Sequence, residues 1–305
     1  MDEEPRFGVR ILCCRYAALP HWNWDHLAAP YWRFYWNRRH NGVIRCQDRD
    51  VPMSANSMFL IAPDTDYDSR SDDPIEQLYI HFVADRPFDA APPGILALPS
   101  AQGPSPLLRI LLEGAEDDPV SPAQVAARSA LCCWALTHVP ESWTRHACPD
   151  DMITWAQDHM LENLGRRMTN AEIAEHVNLS VRTFLRRFRE ATGESCQDWF
   201  RRRRIQQACL LLHTTRSSID QIATDCGFCD RHHFSRVFAE LRGTPPAAFR
   251  RITVHLNRAF EETPDAHREE DVAGQQTGDP DAGEVQVQIA EGPAAAHGWP
   301  PPATG

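Results

Sequence analysis

Residues 173–188 read IAEHVNLSVRTFLRRF and residues 222–238 read IATDCGFCDRHHFSRVF, and the two stretches are versions of one pattern. The offset between them is 49 residues at the start and 50 at the end, because the second version has one extra residue in its middle. Each version predicts a short helix, a turn and a second helix. The repeat therefore predicts two copies of one helical unit in a single chain.

The positions that the two copies share have physical reasons. A small residue allows two helices to cross closely, and four residues later comes a residue type that tolerates the left-handed backbone of a tight turn. A side chain that can accept a hydrogen bond from a helix N-terminus follows the turn. These residues are Ala174, Asn178 and Ser180 in the first copy, and Ala223, Gly227 and Asp230 in the second.

The second helix of each copy is predicted to have a buried face and a basic face. Two phenylalanines four residues apart, Phe184 with Phe188 and Phe234 with Phe238, share one side of a helix. This is the helix-turn-helix pattern, in which the second helix enters the DNA major groove and arginine can bond guanine O6 and N7. A merely solvated face is the alternative, but two Arg-bearing copies favour DNA. The predicted base-reading residues are Arg182, Arg186 and Arg187, and Arg231, His232, Ser235 and Arg236.

Residues 196–212, between the copies, predict one longer helix that would hold two reading helices at a fixed distance. Successive major grooves on one face of DNA lie roughly 34 Å apart, so one chain could span two of them. Four consecutive arginines, residues 201–204, are spread around this helix, and at most two can contact phosphate together. We expect phosphate contacts from Ser180, Arg201 and Arg202, and at least one buried, paired arginine in the run.

Charge is distributed unevenly along the 305 residues. The formal net charge is −11, and all 31 basic residues are arginine. Residues 1–151 carry a net charge of −8, residues 152–251 carry +5 and residues 252–305 carry −8. An acidic chain that contains one basic segment indicates a nucleic-acid-binding module flanked by acidic parts.

The front of the chain predicts an antiparallel β-sandwich or barrel. Short aromatic and β-branched segments at residues 31–36, 42–46, 57–61 and 77–83 are bounded by turn-forming residues. Residues 106–114 and 122–139 then predict helices. On the second helix Val125, Cys132, Leu136 and Val139 share one face, which favours packing on its own domain over a dimer seam.

Several classes of protein are disfavoured by the sequence. The acidic start has no signal-peptide pattern, no apolar run approaches the ~18 residues of a membrane span, and ten cysteines in this length do not form a secreted framework. We therefore expect a cytoplasmic protein.

Cys226 and Cys229 form a C-x-x-C without a second pair at zinc-finger spacing. The front histidines, His21, His26, His40 and His81, do not form a cupin metal set, so we predict no catalytic residue, cofactor or metal.

Residues 151–253 resemble the DNA-binding domain of the AraC/XylS family of bacterial transcriptional regulators. The resemblance implies seven helices, with two helix-turn-helix units joined by a linker helix, and a regulator, commonly an activator, that contacts RNA polymerase. Asn178 stands where glycine is frequent, and Leu185 stands where the family often has a polar residue, so base reading by Leu185 would be apolar, for example to a thymine methyl. The matching positions include Ala174, Ala191-Thr192-Gly193, Arg204-Ile205, Ala208, Ile222-Ala223, Gly227-Phe228, Phe234–Phe238, Gly243–Pro246 and Phe249-Arg250.

The front resembles the cupin-like effector domain of the same family, through residues 31–36, 58–63 and 78–82. The resemblance implies a β-barrel that binds a small metabolite such as a sugar, followed by helices that often form a homodimer. Aromatic side chains can stack on a sugar ring, and the candidate effector-pocket residues are Trp32, Tyr35 and His81. The alternatives are a front domain that only oligomerises and an enzyme fused to a DNA-binding domain.

The predicted fold class is α+β, a cupin-like β-barrel followed by an all-α domain with two helix-turn-helix units. The predicted division is an effector-binding domain at residues 1–95, a helical linker or dimerisation segment at 96–150 and a double helix-turn-helix domain at 151–253. Residues 262–305 are rich in Pro, Gly, Ala, Asp and Glu, and predict a disordered acidic tail.

Overall fold

A computed structural model of the chain describes residues 7–20, 22–39, 42–47, 49–55, 57–98, 105–114, 120–144 and 150–251. The acidic tail predicted at residues 262–305 lies outside the described residues. Within the described ranges, no helix combines the length and the apolar character that crossing a membrane requires.

The front of the chain folds into two antiparallel sheets. A five-stranded sheet has the strand order β1-β7-β2-β5-β8, and a three-stranded sheet has the order β4-β3-β6. The strands are β1 (Val9–Leu19), β2 (Trp32–Asn37), β3 (Gly42–Cys46), β4 (Arg49–Met53), β5 (Met58–Ile61), β6 (Asp68–Arg70), β7 (Ile75–Ala84) and β8 (Ile95–Leu98).

The prediction of a closed β-barrel is wrong for the described residues. No strand of one sheet pairs with a strand of the other there, so the arrangement is a two-sheet sandwich. The chain passes to the small sheet at β3, returns to the large sheet at β5, enters the small sheet again at β6 and returns at β7. Among the described strands, β3 pairs with β4 and β6. The four segments predicted as strands are present, whereas β1, β4, β6 and β8 were not predicted.

The two faces of the large sheet pack against different layers because successive side chains of a strand point to opposite sides. On β2, Trp32, Phe34 and Trp36 join the core that contains the helices after the sheets. Tyr35 faces the three-stranded sheet and joins a separate core with Ile44 and other inward residues. The sheet therefore has one helix-covered face and one face that is enclosed between the sheets.

Three helices follow the sheets: α1 (Ser105–Glu113), α2 (Pro122–Leu136) and α3 (Glu141–Thr144). Helix α2 packs with Ala127, Leu131 and Ala135 inward, at helical spacing. Cys132 and Leu136 are buried as predicted, but Val125 is 55% exposed. The predicted stripe was wrong at Val125 because the buried face is rotated towards Ala127.

In residues 150–251 all the regular elements are helices. The helices are α4 (Asp151–Glu162), α5 (Asn170–His176), α6 (Val181–Thr192), α7 (Cys196–Thr214), α8 (Ile219–Asp225) and α9 (Arg231–Arg242), and residues 246–251 are also helical. The seven helices implied by the family resemblance are thus present in residues 150–251. Helices α5 and α6 form the first helix-turn-helix unit, α8 and α9 form the second, and α7 joins them.

Charged and aromatic contacts join the two parts of the chain. Arg203 on α7 lies 3.4 Å from Asp89 of the front, and Arg242 on α9 pairs with Asp64. Tyr31, in the segment before β2, is 1% exposed and belongs to the core formed by α7, α8 and α9. The second helix-turn-helix unit is therefore packed directly on the front domain.

Candidate nucleic-acid interface

The turns of the two units have the same backbone geometry. Asn178 has φ 53° and Gly227 has φ 73°, both in the left-handed region that the sequence predicted. One residue after each of them, a backbone amide donates a 2.9 Å hydrogen bond, to the carbonyl of Ala174 in the first unit and of Ala223 in the second. The two turns are therefore structural equivalents despite their different residues.

The predicted N-caps of the second helices are confirmed. Ser180 Oγ accepts a 3.3 Å hydrogen bond from the Thr183 amide, and Asp230 Oδ1 accepts a 2.8 Å hydrogen bond from the His233 amide. These caps start α6 and α9 at fixed points, and the helix N-termini carry partial positive charge that favours a phosphate.

The paired phenylalanines form the hydrophobic cores of both units. Phe184, Phe188, Phe234 and Phe238 are all 0% exposed. The two rings of each pair lie edge to face with centroids 5.6 Å apart. Burial of this side forces the opposite side of α6 and α9 towards solvent.

Equivalent positions on the two second helices carry the exposed polar side chains. Arg182 and Arg186 on α6 correspond to His232 and Arg236 on α9, 50 residues later, and all four are exposed. We call these two pairs the first and the second reading face. Within the described ranges, only Arg186 of this set forms an ion pair, with Glu190 at 2.9 Å on the next helical turn.

The remaining predicted base-reading residues are placed differently. Arg187 occupies the position on α6 that corresponds to the buried Val237 on α9. It therefore lies beside the buried face of α6. It donates two hydrogen bonds, of 2.6 and 2.7 Å, to the carboxylate of Asp150, the N-cap of α4. Arg187 thus ties α6 to α4 and does not share the open side of Arg182 and Arg186.

Three other predicted residues border the reading faces. Leu185 is partly buried and packs on the core of the first unit. Ser235 is also partly buried. Arg231 is exposed and pairs with Asp220 of α8 at 3.1 Å.

The four arginines of α7 have four different environments. Arg201 pairs with Asp198 at 3.0 Å, and Arg202 pairs with Glu194. Arg203 lies beside Asp89 with 13% of its side chain exposed, so one arginine of the run is paired and largely buried, close to the prediction. Arg204 donates 2.9 Å to the Leu164 carbonyl, and its guanidinium lies 4.1 Å from the Phe200 ring centroid. Of these four arginines, only Arg201 and Arg202 therefore remain as candidates for phosphate contacts.

The segment that follows α4 and precedes the first unit also contacts the second unit directly. A Cβ at Gly165, after α4, would lie 2.8 Å from the Asp225 carbonyl of α8, and a Cβ at Gly227 would lie 2.8 Å from the Leu164 carbonyl. Arg204 donates to carbonyls on both sides of this contact, those of Leu164 and Gly227. The distance between the reading faces is thus set by three contacts and by α7.

The residues predicted for an effector pocket do not lie in one pocket. Trp32 lies on the helix-covered side of β2, where its Nε1 donates 3.1 Å to the Phe88 carbonyl. Tyr35 lies on the enclosed side, and its hydroxyl is 2.8 Å from that of Tyr67. Adjacent strand positions alternate in direction, so Trp32 was wrongly grouped with Tyr35 and His81.

Sequence analysis did not identify Arg33 or the partners of His81. Arg33, between Trp32 and Phe34, is 3% exposed, and its guanidinium lies 5.1 Å from the Tyr31 ring centroid. The alternating pattern of β2 could have placed it on the enclosed side. His81 lies beside Cys13 and His213, with one ligand atom of each residue within 4.8 Å of the others. This cluster could hold a metal ion, which the sequence did not predict because His213 belongs to the other domain.

Replacing Asp150 with alanine is expected to destabilise the helical domain by about 1–2 kcal/mol, because α4 loses its N-cap. Hydrogen bonds from Arg187 hold the pKa of Asp150 below its usual range. The ionised carboxylate therefore stabilises the fold above about pH 4, and this stabilisation is lost as the pH falls through the lowered pKa. Unfolding of Asp150→Asn should consequently approach that of wild type in acid.

Denaturant unfolding at pH 7 and in acid measures these differences. The matched control is Asp151→Asn, which removes an exposed carboxylate from the next position. Equal effects of Asp150→Asn and Asp151→Asn at pH 7 would contradict the role of the Arg187 pair.

The helical domain is similar to parts of known proteins. A family model described as a helix-turn-helix domain matches residues 173–252. The arabinose operon regulatory protein of Salmonella typhimurium is 37% identical over 114 residues, which are 37% of this chain and 38% of that protein. The HTH-type transcriptional activator RhaS of Escherichia fergusonii is 34% identical over 99 residues, which are 32% of this chain and 34% of that protein. The chain thus matches little more than a third of the length of these curated relatives.

One solved structure is similar over a larger part of the chain. ToxT from Vibrio cholerae covers 80% of this chain and 98% of its own, with a TM-score of 0.50 and 14% identity, which is a likeness of fold alone. The curated relatives are named as regulators of transcription and not as enzymes. Together with two equivalent helix-turn-helix units on one linker helix, these matches identify the helical domain as a DNA-binding domain of the AraC/XylS type.

Proposed function

We propose that the protein is a cytoplasmic transcriptional regulator that reads two adjacent major grooves of double-stranded DNA and responds to a small effector bound by its front domain. The observation that carries this proposal is the equivalence of the two reading faces, where exposed Arg or His side chains occupy the same positions of α6 and α9. Each face lies on a helix of the type that enters a major groove.

The reading faces would contact base edges, and their borders would contact the backbone. Arg182, Arg186, His232 and Arg236 are the base-reading candidates, with Leu185 and Ser235 beside them and Arg231 at the start of α9. Ser180, Arg201 and Arg202 are the phosphate candidates. Arg187 would act indirectly, by holding α6 on Asp150.

Selection of binding sites from random duplexes with the full chain tests this function. We expect enriched sequences with two short half-sites whose centres are about 10–10.5 base pairs apart, which is one turn of DNA. Enrichment of a single half-site would contradict reading by both faces, and no enrichment at all would contradict sequence-specific binding.

Salt dependence should separate the phosphate contacts from base reading. For B-DNA the logarithm of the binding constant falls with the logarithm of salt concentration by about 0.9 for each phosphate neutralised. Arg201→Ala is expected to reduce this slope by about 1 and to weaken all duplexes alike. Arg109→Ala, which removes an exposed arginine from α1 in the front domain, is the charge-matched control. A slope equal to that of wild type would remove Arg201 from the phosphate contacts.

The enclosed face of the large sheet is the proposed effector site, with Arg33 and Tyr35 as its central residues. Arg33 is 3% exposed, and its Nη1 has no hydrogen-bond partner among the described residues. A buried guanidinium is costly unless an anionic group pairs with it. We therefore propose an effector that carries a carboxylate or phosphate group, such as a sugar acid, in preference to a neutral sugar.

Thermal unfolding of the full chain against a panel of metabolites tests effector binding. An anionic ligand should raise the unfolding midpoint of wild type, and Arg33→Met should abolish that rise. Arg10→Met is the control, because Arg10 and Trp32 line a different cleft, at the domain junction. If no metabolite stabilises the protein, the alternative of a front domain that only oligomerises gains support.

Two further partners belong to this proposal. Contact with RNA polymerase would link DNA binding to promoter output. A homodimer would use the outer side of α2, where Val125 is 55% exposed.

A further inference from the structure

A thiol and two imidazoles from three separate elements meet where the front domain contacts the helical domain. Cys13 on β1 is paired with His81 on β7 in the antiparallel ladder, so the two side chains leave the sheet side by side. His213 reaches them from the last turn of α7. The Cys13 Sγ and one ring nitrogen of each histidine all lie within 4.8 Å of one another.

The two histidines lack the polar partners that buried imidazoles normally have. His81 is 3% exposed and His213 is 8% exposed. Neither nitrogen of either ring has a hydrogen-bond partner among the described residues. The rings instead contact each other, with centroids 5.5 Å apart, and both contact the Tyr31 ring. Buried polar groups in folded proteins usually have partners, so this arrangement indicates a bound group.

Neutral imidazole and thiolate are the forms in which these side chains bind a metal ion. Metal binding would therefore displace the proton of the Cys13 thiol and release it to solvent.

We propose that Cys13, His81 and His213 bind one thiophilic transition-metal ion, copper(I) in preference to zinc(II). Thiolate and imidazole are ligands that select copper and zinc over hard cations such as magnesium or calcium. Three ligands suffice for a trigonal site. Because two ligands come from the sheet and the third from α7, the ion would also fasten the linker helix to the front domain.

Without a bound anionic effector, the preference for copper(I) follows from the charge of Arg33. The Arg33 guanidinium lies over the Tyr31 ring, and that ring contacts both histidines. A zinc(II) ion with one thiolate would leave a net positive charge beside this buried cation. Copper(I) with one thiolate is neutral. Repulsion between like charges is strong where water is excluded, so the monovalent ion is favoured.

Metal binding by the full chain tests the proposal. The reduced, metal-free protein would be titrated with copper(I) against a chromophoric copper(I) chelator, and with zinc(II) in a parallel series. Wild type is expected to take up one equivalent of copper(I), with a thiolate-to-metal charge-transfer band and a higher midpoint of thermal unfolding. Cys13→Ser and His213→Gln should lose the band and bind copper(I) at least 100-fold more weakly.

Two control variants leave the three ligands in place. Cys14→Ser removes the next thiol of β1, which packs on the opposite side of the sheet, and His138→Gln removes a histidine after α2. Both variants should still bind one equivalent of copper(I), show the charge-transfer band and have a higher midpoint of thermal unfolding when the metal is bound. Far-UV circular dichroism of each variant establishes that it is folded, and His213→Gln, on a helix of the other domain, provides a second test if Cys13→Ser unfolds.

The outcomes distinguish the existence of the site from the preference for copper(I). The proposed site is wrong if a folded Cys13→Ser or His213→Gln variant binds the metal as tightly as wild type. It is also wrong if wild type binds no equivalent of metal. Tight uptake of zinc(II) rather than copper(I), lost in the same two variants, supports the site and overturns the charge argument. None of these measurements involves DNA, so they do not depend on the proposed regulatory function.

Discussion

Replacing Phe234 with alanine is expected to destabilise the second helix-turn-helix unit by about 3–5 kcal/mol, the usual cost of truncating a buried phenylalanine. Phe234 is 0% exposed, and its ring centroid lies 5.2 Å from that of Phe228 and 5.6 Å from that of Phe238. Phe238 in turn contacts Phe249 of the last helix. Truncation would leave a cavity in the middle of this chain of rings.

Denaturant unfolding of the full chain, monitored by helical circular dichroism, measures the loss. Leu241→Ala is the matched control, because Leu241 lies on the same helix and is 40% exposed, and it should change the free energy of unfolding by less than about 0.5 kcal/mol. Similar values for the two variants would show that the aromatic chain is not the core of this unit.

Arg186→Ala and Arg236→Ala should each weaken binding to a selected operator by about 1–3 kcal/mol, or roughly 5- to 150-fold. Each side chain occupies the same position of its unit, in the face opposite to the buried phenylalanines. The proposed bidentate arginine–guanine contact would be lost in each case, so each variant should also relax the base preference within its own half-site.

Titration of labelled operator duplexes, together with repeated site selection for each variant, measures both effects. Arg109→Ala removes the same charge from the front domain and should leave the affinity almost unchanged. Glu190→Ala removes the carboxylate that pairs with Arg186 in the free protein, and should bind DNA as tightly as wild type or more tightly. If Arg186→Ala and Arg236→Ala both match Arg109→Ala, the reading faces are assigned to the wrong side of the helices.

The helical domain could be predicted closely because its determinants are local. The left-handed turn residues, the N-caps and the phenylalanine pairs lie within one turn or one helix of the features that they control. Arg187 shows the limit of this reasoning. Its spacing from Phe184 and Phe188 leaves it between the two sides of α6, and only the distant Asp150 decides its direction.

The front domain could be predicted only in part because strand pairing joins residues far apart in the chain. β1 reads VRILCCRYAAL, with adjacent cysteines and adjacent alanines in place of a β-branched run, and it becomes a strand because it pairs along most of its length with β7. Trp32 is separated from the other two predicted pocket residues for a simpler reason. Trp32 and Tyr35 are an odd number of positions apart on one strand, so they point to opposite sides of the sheet. The Cys13, His81 and His213 cluster requires the docking of two domains, which no spacing in the sequence encodes.

The contact between Gly165, Gly227 and Arg204 has a consequence for the DNA that this protein accepts. Two reading faces whose positions are fixed by this contact and by α7 cannot follow half-sites that rotate around the duplex. One inserted base pair turns a half-site by about 34–36° relative to the other, given 10–10.5 base pairs per turn. Operators should therefore be intolerant of insertions between their half-sites, and any mismatch in helical phase must be met by twisting or bending the duplex rather than the protein.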